Sequence, residues 1–125
     1  MKFWPILMPC ICARPISARK ERDRTEKLSN ADKKSALAKL NGWKKTTGRD
    51  AIAKRFIFAD FNAAFAWMSR VAMMAEKLDH HPEWDNVYKT VNVVLTTHDA
   101  GGLSELDIAM AKFMDETAGA AGRKK

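Results

Sequence analysis

Between Asp60 and Leu78 the chain sets Phe61, Ala64, Phe65, Met68, Val71, Ala72, Ala75 and Leu78 on one stripe at helical spacing. No other feature restricts the fold as much. Asp60 is a suitable N-cap, since its side-chain oxygen can accept from a first-turn amide. Pro82 disfavours helical geometry at His81, so the helix is expected to stop near His80. On either side the apolar period changes from helical to two. Upstream, Ile52, Phe56 and Phe58 share one face of a strand over Ala51–Phe58. Gly48-Arg49-Asp50 reads as the hairpin turn joining it to a strand over Trp43–Thr47. Downstream, Val91, Val93 and Leu95 alternate toward one face, while Asn92, Val94, Thr96 and His98 take the other parity. A break near Asp85-Asn86 would divide this region into two strands.

Two shorter helices complete the pattern. Residues 30–41 carry Ser29 and Asp32 at capping-box spacing, Leu37 and Leu40 on one face, and Gly42 as a stop. Ser104 caps a last helix whose Leu106, Ala109, Met110, Phe113 and Met114 form the expected buried stripe. The order is helix-strand-strand-helix-strand-strand-helix. Hairpin-linked strands with helices to one side form an α+β sandwich.

The 125 residues suit one domain with extensions. Net charge is +7, yet residues 35–118 hold ten basic against eleven acidic side chains. The excess sits in residues 1–34, with nine basic against four acidic, and in Arg123, Lys124 and Lys125. A nucleic-acid domain would carry its basic patch on the folded part, so direct nucleic-acid binding is not expected. No apolar run approaches the roughly 20 residues that span a bilayer. Cys10 and Cys12 are the only cysteines, which argues against a disulfide-framed secreted fold and for a reducing, cytoplasmic setting. The expected domain is 28–118, after an extension over 1–27 and before a basic tail over 119–125. The prolines in Phe3-Trp4-Pro5-Ile6-Leu7-Met8-Pro9 favour a plain extension over an organellar targeting peptide.

The chemistry lies in the three histidines, His80, His81 and His98. Glu76 is one helical turn before His80, where a carboxylate can hold one imidazole in a chosen tautomer. Several imidazoles around one pocket suit a reaction needing an acid and a base together. Other readings stand beside this one. A His-His pair can cap helix carbonyls, and three histidines with Glu76 could ligate zinc or iron. The adjacent pair, however, lacks the i, i+4 geometry of helical metal motifs. Ser104-Glu105-Leu106-Asp107 matches a capping box, so Asp107 could serve the helix start alone. Trp84 and Tyr88 could be core or an aromatic wall for a flat ligand.

The string from Glu76 through Asp79-His80-His81-Pro82-Glu83-Trp84 to Asn86-Val87-Tyr88 resembles the signature of the pterin-4a-carbinolamine dehydratases. The likeness continues through Leu95-Thr96-Thr97-His98 and Gly102-Leu103-Ser104 to Asp107, and covers about residues 28–118. The resemblance implies a four-stranded antiparallel sheet with three helices packed on one face, and assembly into homodimers or homotetramers. It implies dehydration of 4a-hydroxytetrahydropterin to quinonoid dihydropterin, with no metal and no cofactor, in the cycle of an aromatic amino acid hydroxylase. Carried over by position, His80 and His98 are the acid/base pair, and His81 contacts or orients substrate with a share in catalysis. Glu76 orients a histidine. Asp79 belongs to the same substrate-binding or orienting set. Pro82 and Trp84 shape the pocket, Thr96 and Thr97 line it, and Asp107 belongs to the signature. Asp85 stands where animal members are expected to carry an apolar residue. Some animal members also act as dimerisation cofactors of a homeodomain transcription factor. The competing reading is therefore a helix-binding module, using Trp67, Met73 and Met74 off the main helical stripe.

Overall fold

A computed structural model describes residues 26–120. The expected extension, apart from Glu26 and Lys27, lies outside the described residues. So do Cys10, Cys12 and the basic tail, apart from Gly119 and Ala120. Helix α1 covers Asn30–Lys39, α2 Phe61–Leu78 and α3 Glu105–Ala120. Strands β1 (Lys44–Lys45), β2 (Ile52–Ile57), β3 (Glu83–Val87) and β4 (Thr90–Leu95) form one antiparallel sheet in the order β1-β2-β4-β3. The class is α+β, in the expected order of elements.

Helix starts follow from capping chemistry. The Ser29 hydroxyl accepts from Asp32 N at 3.1 Å, and the Asp60 carboxylate accepts from Ala63 N at 2.8 Å. Each satisfies a first-turn amide that has no partner within its helix. Helix α2 stops at Leu78, two residues before the expected position. Asp79 takes the left-handed conformation (φ 54) and its N–H closes on Ala75 O and Glu76 O. That cap, and not the proline, turns the chain out of the helix.

The inner face of the sheet is Ile52, Phe56, Phe58, Val91, Val93 and Leu95, all buried as the period-two alternation requires. Trp67 fills the space between sheet and helices. Its ring centroid lies 4.6 Å from Phe56 and 5.1 Å from Phe58, and its Nε1 donates to Met114 O at 3.1 Å. The α2 face turned to the core is therefore Ala64, Trp67, Val71 and Ala75. This corrects the expected stripe: Phe61 and Phe65 are half exposed, and Trp67 is core. The indole, whose N–H finds a carbonyl, fills more of the space above the sheet than either phenylalanine would. In α3 the buried apolar set is Leu106, Met110, Ala111, Met114 and Ala118, with Ala109 and Phe113 only partly covered.

The β3–β4 break falls at Tyr88-Lys89, not at Asp85-Asn86. Asn86 stays in the strand and braces the turn, its Nδ2 donating to Tyr88 O and Thr90 O. Asparagine is a turn residue here through its side chain and not its backbone. Tyr88 takes φ 52 and is exposed at the hairpin tip, so it is neither core nor pocket wall. Strand β4 ends at Leu95. His98 does not close it but opens a single 3-10 turn, His98–Ala100. Among the described residues no helix is long and apolar enough to cross a membrane.

Candidate active site

Two segments bring the histidines together. The α2 cap at Asp79 delivers His80 and His81, and the loop after β4 delivers His98. That loop is pinned at its neck: Thr97 N donates to Gly102 O and Gly102 N to Thr97 O. Between the segments lies a cleft of about 350 Å³, lined by Leu78, Asp79, His80, His81, Thr96, Thr97, His98, Asp99 and Leu106. Its size suits a small flat ligand. A groove of about 430 Å³ between α1 and α3 contains no histidine; its rim carries Asp32, Lys39, Glu105 and Lys112.

The three imidazoles differ in their surroundings. His80 is buried, and its Nε2 lies 2.6 Å from Oδ1 of Asp107, which is fully buried. The other oxygen of Asp107 accepts from Ser104 N at 3.0 Å and from the Thr97 hydroxyl at 2.7 Å. Asp107 thus closes the capping box of α3 and holds His80, so capping is not its whole contribution. A carboxylate can only accept, so His80 Nε2 is the nitrogen that donates across this contact. His81 is exposed, with Nε2 2.7 Å from Glu76 Oε1. The histidine that Glu76 meets is therefore His81; the left-handed turn at Asp79 carries His80 away to Asp107.

The His98 side chain is 79% exposed, and its Nε2 lies 3.3 Å from Glu83 Oε2. Glu83 is gripped by both terminal nitrogens of Arg49, at 2.9 and 3.0 Å. The hydrogen bond to Glu83, and then its charge, raise the Arg49 pKa. The same hydrogen bond and charge, with a contribution from His98, keep the Glu83 carboxyl below its usual range despite partial burial.

The remaining expected site residues divide. Asp79, Thr96 and Thr97 are on the cleft wall. The Thr97 hydroxyl is committed to Asp107 and Ser104, and the Thr96 hydroxyl donates to Asp50 O at 2.9 Å. Pro82 and Trp84 are not among the lining residues. Trp84 packs partly buried beside Trp67, with centroids 6.2 Å apart, so of its two readings the packing one describes its place. Arg49 and Glu83 escape a reading by motif. Glu83 sits inside the family-like string, but nothing in its spacing points to His98. Arg49 is remote in sequence and reaches the site only because β1, β2, β4 and β3 lie side by side. Among the described residues no group of three or more His, Cys, Asp or Glu side chains is placed to hold a metal ion.

Comparison with known proteins agrees with this architecture. The pterin 4 alpha carbinolamine dehydratase family matches residues 26–117. The chain belongs to this family. A relative from Rhodopseudomonas palustris (strain HaA2), provisionally named a pterin-4-alpha-carbinolamine dehydratase, is 57% identical over 97 residues. The match covers 78% of this chain and 96% of the relative. A protein with the same provisional name from Roseobacter denitrificans (strain ATCC 33942 / OCh 114) is 61% identical over 97 residues, covering 76% and 99% of the two chains. A crystal structure from Brucella melitensis, described as a transcriptional coactivator/pterin dehydratase, superposes with a TM-score of 0.73 at 48% identity. It covers 74% of this chain and 99% of the other. A pterin dehydratase-like protein identified as a RuBisCO assembly factor in the alpha-carboxysome superposes with a TM-score of 0.55 at 25% identity, covering 63% and 92%. The matched span of this dehydratase family member contains all three histidines and Asp107.

Proposed function

We propose that this dehydratase acts on 4a-hydroxytetrahydropterin, removing water to give quinonoid dihydropterin by histidine acid/base catalysis. The observation that carries the reading is the cleft itself: His80, His81 and His98 share one wall space, and a fully buried carboxylate fixes His80. Loss of water breaks the C4a–O bond. One imidazolium gives a proton to the departing hydroxyl, and an imidazole with a free lone pair takes the proton from the neighbouring ring nitrogen. The carbon–nitrogen double bond forms between them. Protons balance, since one is given and one taken, and the two histidines exchange states. Positioned acid/base groups contribute about 10²–10⁴-fold each.

His80 and His98 form the acid/base pair, at the two sides of the cleft. His81, oriented by Glu76, contacts substrate, with Asp79, Thr96 and Thr97 beside it. Pro82 and Trp84 act by supporting the wall. The product feeds pterin recycling for an aromatic amino acid hydroxylase, and a fold without cysteine among the described residues fits a reducing cytoplasm. Assembly into a homodimer or homotetramer is supported by the apolar groups that α2 leaves uncovered, Phe61, Phe65, Ala72 and Met73. The competing helix-binding surface of Trp67, Met73 and Met74 loses Trp67, which is fully buried, and keeps only Met73 exposed. The histidine cluster favours the enzyme, because a pure binding module has no use for it.

Stopped-flow mixing of the protein with freshly generated 4a-hydroxytetrahydropterin tests the assignment. Fast dehydration is expected, and the His80→Ala/His98→Ala variant, checked for native circular dichroism, should lose at least about 10²-fold. No acceleration by folded wild type would overturn the reading.

A further inference from the structure

Of the three imidazoles, His98 is the most exposed. Its ring is mostly in water, and its sole charged or hydrogen-bonding partner among the described residues is Glu83. An exposed histidine with one such contact samples several side-chain rotamers unless that contact is itself rigid. Here it is rigid. Glu83 stands at the start of β3, and both its oxygens are engaged by the planar fork of Arg49.

Arg49 comes from the β1–β2 turn, whose next residue holds the loop of His98 by its backbone. The Asp50 carbonyl oxygen accepts from the Thr96 hydroxyl at 2.9 Å, at the entry of the loop. The Asp50 carboxylate accepts from Leu103 N at 3.2 Å, at the exit. That carboxylate is anchored in turn by Lys33 of α1 at 2.6 Å, with Lys45 of β1 3.6 Å from its other oxygen. The approach is close enough to require glycine on the loop: a Cβ on Gly102 would lie 2.1 Å from Asp50 Oδ2.

We propose that the β1–β2 turn is the positioning element for His98: Asp50 fixes both ends of the loop that carries it, and Arg49, through Glu83, holds the imidazole. The inference rests on the dehydratase reading only for its kinetic consequence, since the ordering of the ring is a separate observable. Arg49 and Glu83 are positioning residues and touch no substrate. The turn is some fifty residues from His98 in the chain, and neither residue belongs to the acid/base set.

The test uses the full chain, its Arg49→Gln and Glu83→Gln variants, and the same changes in a His98→Ala background. Arg55→Gln serves as a control, because Arg55 bonds Asn92 on the same sheet face away from the cleft. NMR couplings across the His98 Cα–Cβ bond report the rotamer. One rotamer is expected in wild type and Arg55→Gln, and averaging in Arg49→Gln and Glu83→Gln. Averaging already present in wild type, or one rotamer kept in both variants, would overturn the proposal. In kinetics each variant should lower kcat by about tenfold with little change in KM, a fraction of what a full acid/base group supplies. In His98→Ala the further loss should vanish, since the pair acts only through that ring. Equal losses in both backgrounds would overturn it as well. If His98→Ala were itself fully active, the catalytic assignment of His98 would fail, and the rotamer measurement alone would decide the positioning.

Discussion

The two oxygens of Asp107 face different groups. Oδ2 takes the Ser104 amide and the Thr97 hydroxyl at the start of α3, and Oδ1 takes His80. A carboxylate at a helix N-terminus is favoured by the helix dipole, so the same position that caps α3 supplies a stable negative end for an imidazole. Replacing it should therefore damage both functions. Asp107→Asn keeps the volume but can turn an N–H toward His80, which would impose the other tautomer. Activity is expected to fall by at least about 10²-fold. Asp107→Ala removes both oxygens, and the midpoint of its urea unfolding should drop, by about 1–3 kcal/mol in stability, because the buried Ser104 amide loses its acceptor. An Asn variant with full activity would remove Asp107 from the site, and an Ala variant with unchanged stability would remove it from the cap. His81 differs in kind. Its partner Glu76 is exposed, so that pair orients the ring at a modest energetic gain.

At the scale of elements, the histidines are set by how segments end. Helix α2 ends in a left-handed Asp79, which sends consecutive histidines to different partners. The loop after β4 is held by Asp50 from a hairpin turn and by Lys33 behind it, so α1, the turn and the His98 loop form one ionic joint. Burial pushes the Asp50 carboxyl up, but Lys33, the Leu103 amide and Lys45 outweigh it, and the net shift is downward. A carboxyl held below its unfolded value stabilises the fold above that value, and the stabilisation fades as pH falls through the folded value. The unfolding free energy should therefore decline as pH drops below about 4, the ordinary carboxylate range. Lys33→Met should show a shallower decline, since the main cation beside Asp50 is gone. Chemical denaturation at pH 7 and pH 3.5 checks this, and parallel profiles would rule out the joint as an acid-sensitive tie.

For the whole molecule, the uncovered groups on α2 decide what else the fold can do. Phe61 and Phe65 lie with centroids 5.7 Å apart and are 48% and 56% exposed. Partly buried Met68 and exposed Ala72 extend the stripe, and Met73 lies beside it. Aromatic groups placed together on one helix face mark a contact surface more often than scattered apolar residues do. Light scattering on the full chain should give the mass of two or four copies. Phe65→Glu should shift it toward one copy while the helical circular dichroism stays the same. A wild type already monomeric at high concentration would leave the stripe to a different partner.

Much of this protein is legible in its residues alone. The period of two in Ile52, Phe56, Phe58 and in Val91, Val93, Leu95 determines the sheet face, because side chains along a strand must alternate. Ser29, Asp60 and Ser104 mark three helix starts, because orphan amides need acceptors nearby in the chain. The histidine string points to the family and its cleft. What lies across strands is decided only in three dimensions. The choice of Trp67 over Phe61 and Phe65 for the core depends on which side chain best fills the space above the sheet. The partner of His80 depends on a positive φ at Asp79. The reach of Arg49 to Glu83, and through it to His98, depends on strand order β1-β2-β4-β3. Local pattern reports the forces between near neighbours in sequence, whereas these contacts join segments whose meeting is set by packing of the whole chain.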